Sequence, residues 1–163
     1  MQALHEAGRT ADVVIDHATP KTIIDGKEYT LVFPKFFFET NIPLKTVDKL
    51  FIGNVTESRM RFLAGFPDSS IEWSTRGRDD ATKFFDAAYF DMMARAKFVL
   101  CPNGDFVWTY RFFEACIFGA IPIIEDTCDA YNGYHYYISG DEYEYRNDWA
   151  AKNYYKALQE LTL

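Results

Sequence analysis

From Lys49 onward, short apolar runs alternate with amphipathic stretches. Lys49-Leu50-Phe51-Ile52 reads as a strand ended by Gly53. Thr56 is placed to cap a short helix over Glu57 to Ala64. Ser70-Ile71-Glu72-Trp73 is a brief second strand, followed by a charged loop from Thr75 to Asp80. Ala81 to Arg95 is an amphipathic helix, with Phe84, Phe85, Ala88, Met92 and Arg95 at helical spacing. Phe98-Val99-Leu100-Cys101 is a third strand, stopped by Pro102 and the turn residues Asn103-Gly104-Asp105. Thr109 caps a helix to about Phe118, Gly119 ends it, and Ile121-Pro122-Ile123-Ile124 is a fourth strand. A tyrosine-rich segment from Tyr131 to Tyr145 leads to a last helix, from about Asn147 to Leu161.

Uniformly apolar strands joined through helices mark parallel βαβ units, because both faces of such a sheet are covered. With right-handed crossovers the pattern predicts an α/β fold: one doubly wound, mostly parallel sheet over residues 46–163. Residues 1–45 follow another pattern. Ala11 to Ile15 suits a short strand. Asp25-Gly26, between Ile23-Ile24 and Tyr29-Thr30-Leu31-Val32, is a hairpin signal. Pro20, Pro34 and Pro43 break any long helix, and Phe36-Phe37-Phe38 needs a partner surface. This part is expected to be a lead-in that packs on the main sheet.

The polar residues gather where the third strand hands over to its helix. Open α/β sheets bind ligands outside the carboxyl ends of their strands. The free N–H groups and dipole of a helix start favour an anion. Thr109 adds a hydroxyl there, and Arg111 adds a donor fork suited to phosphate. Glu114, three residues on, shares a face with Arg111 and suits two vicinal hydroxyls, as on a ribose. A nucleoside diphosphate fits this set. The alternative is an ordinary i,i+3 ion pair on a wet face, worth roughly 0.2–0.5 kcal/mol.

FVLCPNG, then TYRFFEA, then GAIPII resembles the signature of exostosin-like glycosyltransferases. The resemblance covers about residues 49–126. It implies the donor-binding, Rossmann-like half of a GT-B type enzyme, with a nucleotide sugar, UDP- or GDP-linked, as substrate. Arg111 would then meet the diphosphate and Glu114 the donor ribose, beside Asn103, Gly104 and Thr109. Gly53 and Arg59 resemble part of the same donor site, although arginines near helix starts are common. Glu125 and Asp126 end the fourth strand, where ligand-facing carboxylates and ordinary loop acids both occur. They are the catalytic candidates, and no general base is identified. Asp105 departs from the family's loop, since a carboxylate beside a diphosphate must point away. Arg76 and Arg78 read as solvated.

Composition narrows the rest. The 163 residues have room for one such domain and too few for two Rossmann-like halves, so a second domain or subunit is an expected partner. The formal net charge of −7 argues against a nucleic acid polymer, which needs a basic face. Aromatic content is 18%, and the Tyr131–Tyr145 cluster suits either an acceptor-sugar platform or a cover for the sheet edge. Cys101, Cys116 and Cys128 form no C-x-x-C, and His5, His17 and His135 are scattered, so no metal and no cofactor are expected. Apolar runs are too short to span a bilayer and no signal peptide is apparent, which suggests a cytoplasmic protein, although family members elsewhere can be Golgi-luminal. The expected function is transfer of a sugar from a nucleotide donor to a glycan acceptor. Alternatives are a non-catalytic nucleotide- or glycan-binding module on the same fold, or a fragment that needs a partner domain.

Overall fold

The computed structural model describes residues 12–73 and 86–162. Residues 1–11, 74–85 and 163 lie outside it. So do the expectations for His5, Ala11, the charged loop with Arg76 and Arg78, and Phe84 and Phe85 at the start of the long helix.

Five strands form one all-parallel sheet. In chain order they are β4 (Val47–Gly53), β5 (Ser70–Trp73), β6 (Ala96–Cys101), β7 (Ile121–Ile124) and β8 (Tyr137–Ile138). Their spatial order is β5-β4-β6-β7-β8. Leu50 lies opposite Val99, and Val99 opposite Pro122, so β4, β6 and β7 are parallel neighbours. The helices are α1 (Glu57–Leu63), α2 (Ala87–Ala94), α3 (Tyr110–Ile117) and α4 (Asn147–Glu160).

Side-chain alternation explains the strands' continuous apolar character. Leu50, Ile52, Val99 and Cys101 face one side, packing with Phe90 and Met93 of α2, Phe112 and Phe113 of α3 and Ala157 of α4. Phe51, Phe98, Leu100, Ile121 and Ile123 face the other, with Phe62 and Leu63 of α1 and Phe66. Each fully buried large side chain contributes about 1.5–3 kcal/mol. The sheet is therefore covered on both faces, as a doubly wound, Rossmann-like fold requires.

Three elements differ from the sequence pattern. The tyrosine-rich segment holds a fifth strand, β8, paired to β7 at only two residues. No apolar run announces so short a strand. The described part of the long helix begins at Asp86, whose carboxylate accepts from the Tyr89 N–H at 3.1 Å. Its buried face is Tyr89, Phe90, Met93 and Ala94, whereas Ala88 and Arg95 are exposed. Both faces have helical spacing, and packing on β4 and β6 selects between them.

The lead-in also divides. β1 (Val13–Asp16), β2 (Lys21–Ile24) and β3 (Lys27–Tyr29) make a separate antiparallel sheet with its own small cluster around Ile24 and Tyr29. Asp25 and Gly26 both have positive φ, 50° and 76°, as a type I′ hairpin turn demands. From Leu31 the chain joins the main core through Phe33, Phe37 and Phe38. The Phe33 N–H donates to Leu161 O at 2.7 Å, and the Tyr154 hydroxyl to Phe38 O at 2.6 Å. This second part enters the main core, whereas the antiparallel sheet touches the main sheet's layers from outside, with Ala18 O accepting from Trp108 Nε1 at 3.3 Å.

Candidate functional site

With β5 outside β4 and β7 outside β6, the chain leaves β4 and β6 in opposite directions. A crevice opens at the carboxyl ends of two such strands. The turns that enter it are 53–56 after β4 and 102–109 after β6.

Arg111, in the first turn of α3, reaches back to the end of β4. Its Nε donates to Ile52 O at 2.8 Å, and its guanidinium carbon lies 4.6 Å from the Phe51 ring centroid. The side chain is buried. A Cβ on Gly53 would overlap this guanidinium, so a residue with a side chain there would displace it. A second arginine enters from α1. Arg59 Nη1 donates to Asn54 O at 2.7 Å. A Cβ on Gly104 would lie 3.3 Å from Arg59 Nη2 and 3.9 Å from Thr109 Cγ2. The two glycines and two arginines of the sequence reading thus interlock across the crevice.

The helix start is firmly held. Thr109 Oγ1 accepts from the Phe112 N–H at 3.3 Å, as its capping role predicts. The Thr109 N–H donates to the Tyr131 hydroxyl at 2.9 Å, and that hydroxyl donates to Val107 O at 3.3 Å. The Tyr131 ring stacks on Phe112 with centroids 3.7 Å apart. Burial pushes its phenol well above the usual range, so the hydroxyl keeps its proton. Tyr131 therefore braces the cap, a role that membership of a tyrosine-rich run could not reveal.

Glu114 is 3% exposed and accepts from the Tyr89 hydroxyl at 2.8 Å. Among the described residues it forms no ion pair with Arg111, and neither side chain lies on a wet face. The i,i+3 surface-pair alternative is thereby removed. Asn103 is tied to the end of β7: its N–H donates to Glu125 Oε2 at 3.1 Å and its Nδ2 to Asp126 Oδ2 at 2.7 Å. Both carboxylates are exposed and hold the loop after β6 in place. Asn103 Oδ1 is buried without a partner among the described residues. Asp105 is exposed. Cys101, at the end of β6, has its thiol pushed up to about 12 by burial, with Arg111 opposing and Glu114 adding. It is an inert core thiol. Of the tyrosine cluster, Tyr131 and Tyr134 are buried in the core, and Tyr137, Tyr143 and Tyr145 pack against the second face.

Residues 68–138 match the family model of the RXYLT1 C-terminal domain. Ribitol-5-phosphate xylosyltransferase 1 of Mus musculus is 34% identical over 59 residues, which is 36% of this chain and 12% of that protein. The chain resembles an exostosin-like glycosyltransferase. The family match begins later than the residues that suggested it and runs further, into β8. It contains Asn103, Gly104, Thr109, Arg111, Glu114, Glu125 and Asp126, and also Tyr89 and Tyr131. Gly53 and Arg59 lie before it. The chain spans about an eighth of the length of this relative. Among the described residues, no helix is long and apolar enough to cross a membrane.

Proposed function

We propose that this chain is the donor-binding, Rossmann-like half of a GT-B type glycosyltransferase, and that it takes a UDP- or GDP-linked sugar at the crevice between β4 and β6. The observation that carries the reading is the interlocked set: Arg111 against Gly53, and Arg59 against Gly104, beside the start of α3. Arginine forks and helix N–H groups complement a diphosphate, and they stabilise the charge that develops on it as the sugar departs. The reading therefore needs no metal and no further cofactor. Glu114 is assigned to the ribose hydroxyls. A glycan acceptor and its general base are assigned to a second domain or subunit across the crevice. The name of the mouse relative makes xylose the first donor sugar to try and ribitol phosphate the first acceptor.

Thermal denaturation with and without nucleotide tests binding, because a ligand of the native state alone raises stability by mass action. Uridine or guanosine diphosphate should raise the melting temperature in a saturable way. No shift with either at millimolar concentration would remove the site. Release of nucleotide diphosphate from UDP-xylose then separates an enzyme from a binding module: binding without turnover favours the module.

A further inference from the structure

We propose that Tyr89 is a positioning residue for ribose recognition, holding the Glu114 carboxylate in the orientation that receives the sugar hydroxyls. The proposal rests on the nucleotide-binding reading above and adds a residue that neither the sequence pattern nor the family resemblance singles out.

Tyr89 lies in the first turn of α2, and Glu114 in the second turn of α3. Their 2.8 Å hydrogen bond spans 25 residues and links two helices on the same face of the sheet. Both residues are buried, at 8% and 3% exposure. A buried carboxylate that lacks donors is costly and turns or protonates to escape. A phenol donor supplies one charge-assisted bond and fixes the plane of the carboxylate. A carboxylate has about four acceptor positions in all, so more than one donor can share it. The Tyr89 ring is itself fixed, edge-on to Phe90 at 5.0 Å, and Phe90 stacks on Phe118 at 4.8 Å just beyond the end of α3. Orientation of Glu114 thus depends on the packing of α2 against α3, and through it on a residue that touches no ligand.

The test compares whichever of uridine and guanosine diphosphate binds the wild type with its 2′,3′-dideoxy analogue, by calorimetry. The wild type should prefer the ribonucleotide. Tyr89→Phe should weaken the ribonucleotide roughly tenfold and leave the dideoxy analogue within about twofold. Equal losses for both ligands, or none, would reduce Tyr89 to a helix cross-link and overturn the proposal. Glu114→Gln with Tyr89→Phe in one chain removes both the acceptor charge and the phenol donor of the buried pair. That double variant should bind both ligands as Glu114→Gln does. A further loss on the ribonucleotide alone would show Tyr89 acting independently of Glu114, against the proposal. Should the wild type bind both ligands equally, the ribose contact fails while diphosphate binding stands. Should it bind neither, the donor site itself falls, and this inference with it.

Discussion

The two ends of the parallel sheet each hold a buried or half-buried cation bonded to main-chain carbonyls, and the two are built for different work. At the amino end, Lys45 Nζ donates to Ala94 O at 2.7 Å and to Phe118 O at 3.1 Å. Those carbonyls close the C-terminal ends of α2 and α3, where a cation complements the helix dipole. Two of the three ammonium donors are so committed. At the carboxyl end, Arg111 gives Nε to Ile52 O and lays its fork against the Cα of Gly53. A cation that caps helices belongs to the scaffold. The cation whose fork lies across a glycine, in the crevice of the doubly wound sheet, is the one that the proposed function assigns to the donor diphosphate.

Arg111→Ala should have the largest effect. Loss of charged hydrogen bonds should weaken uridine or guanosine diphosphate roughly tenfold to a hundredfold by calorimetry. Lys45→Met, at the other end, should leave that affinity within about twofold, because its neighbours are the helix carbonyls. Equal effects from the two variants would erase the distinction. Arg111→Lys sharpens it, since charge is kept and the fork is lost.

Gly53→Ala comes next. Its Cβ would meet a guanidinium held by Ile52 O and Phe51, so Arg111 must shift. Overpacking of this kind costs about 1–3 kcal/mol in urea unfolding. Nucleotide affinity should fall with it. A variant as stable and as tight-binding as wild type would show that Arg111 moves freely.

The two ends should also answer alkali with opposite sign. The Cys101 thiol ionises near 9 when unfolded and near 12 when folded. Its contribution to stability is full below pH 9 and is lost as pH rises from 9 toward 12. Wild type should lose stability faster than Cys101→Ala there, by up to about 1.4 kcal/mol per pH unit, the one-proton limit. Burial lowers Lys45 from 10.5 to about 8, outweighing its two carbonyl partners. Between pH 8 and 10.5 the unfolded chain holds a proton that the native one has released. Wild type should therefore gain stability relative to Lys45→Met as pH rises through that window. Partial solvent access keeps this slope below the one-proton limit. A falling slope at Lys45 would mean that the helix ends hold the ammonium charged.

Much of this was legible because it is local. The strands Leu50–Ile52, Phe98–Cys101 and Ile121–Ile124 follow from apolar runs between turn residues. The Thr56 and Thr109 caps follow from threonine three residues before the N–H each one accepts. The hairpin at Asp25-Gly26 follows from its turn chemistry. Even the grouping of Gly53 and Arg59 with Gly104, Thr109 and Arg111 follows once strand order is guessed, because a switch point needs only that order. What the sequence left open spans distance. Arg111 meets Ile52 across 59 residues, Tyr89 meets Glu114 across 25, and Thr109 meets Tyr131 across 22. Spacing rules reach one helical turn or one strand pair, and nothing in an i,i+3 relation told whether Arg111 and Glu114 pair with each other or turn inward separately. The packed sheet decided that, drawing Arg111 to the end of β4 and Glu114 to α2. It also chose the buried face of α2, paired two residues of a tyrosine-rich run as β8, and made Tyr131 a brace. Each of these contacts exists only once the strands are in order, since it joins segments that the chain by itself keeps apart.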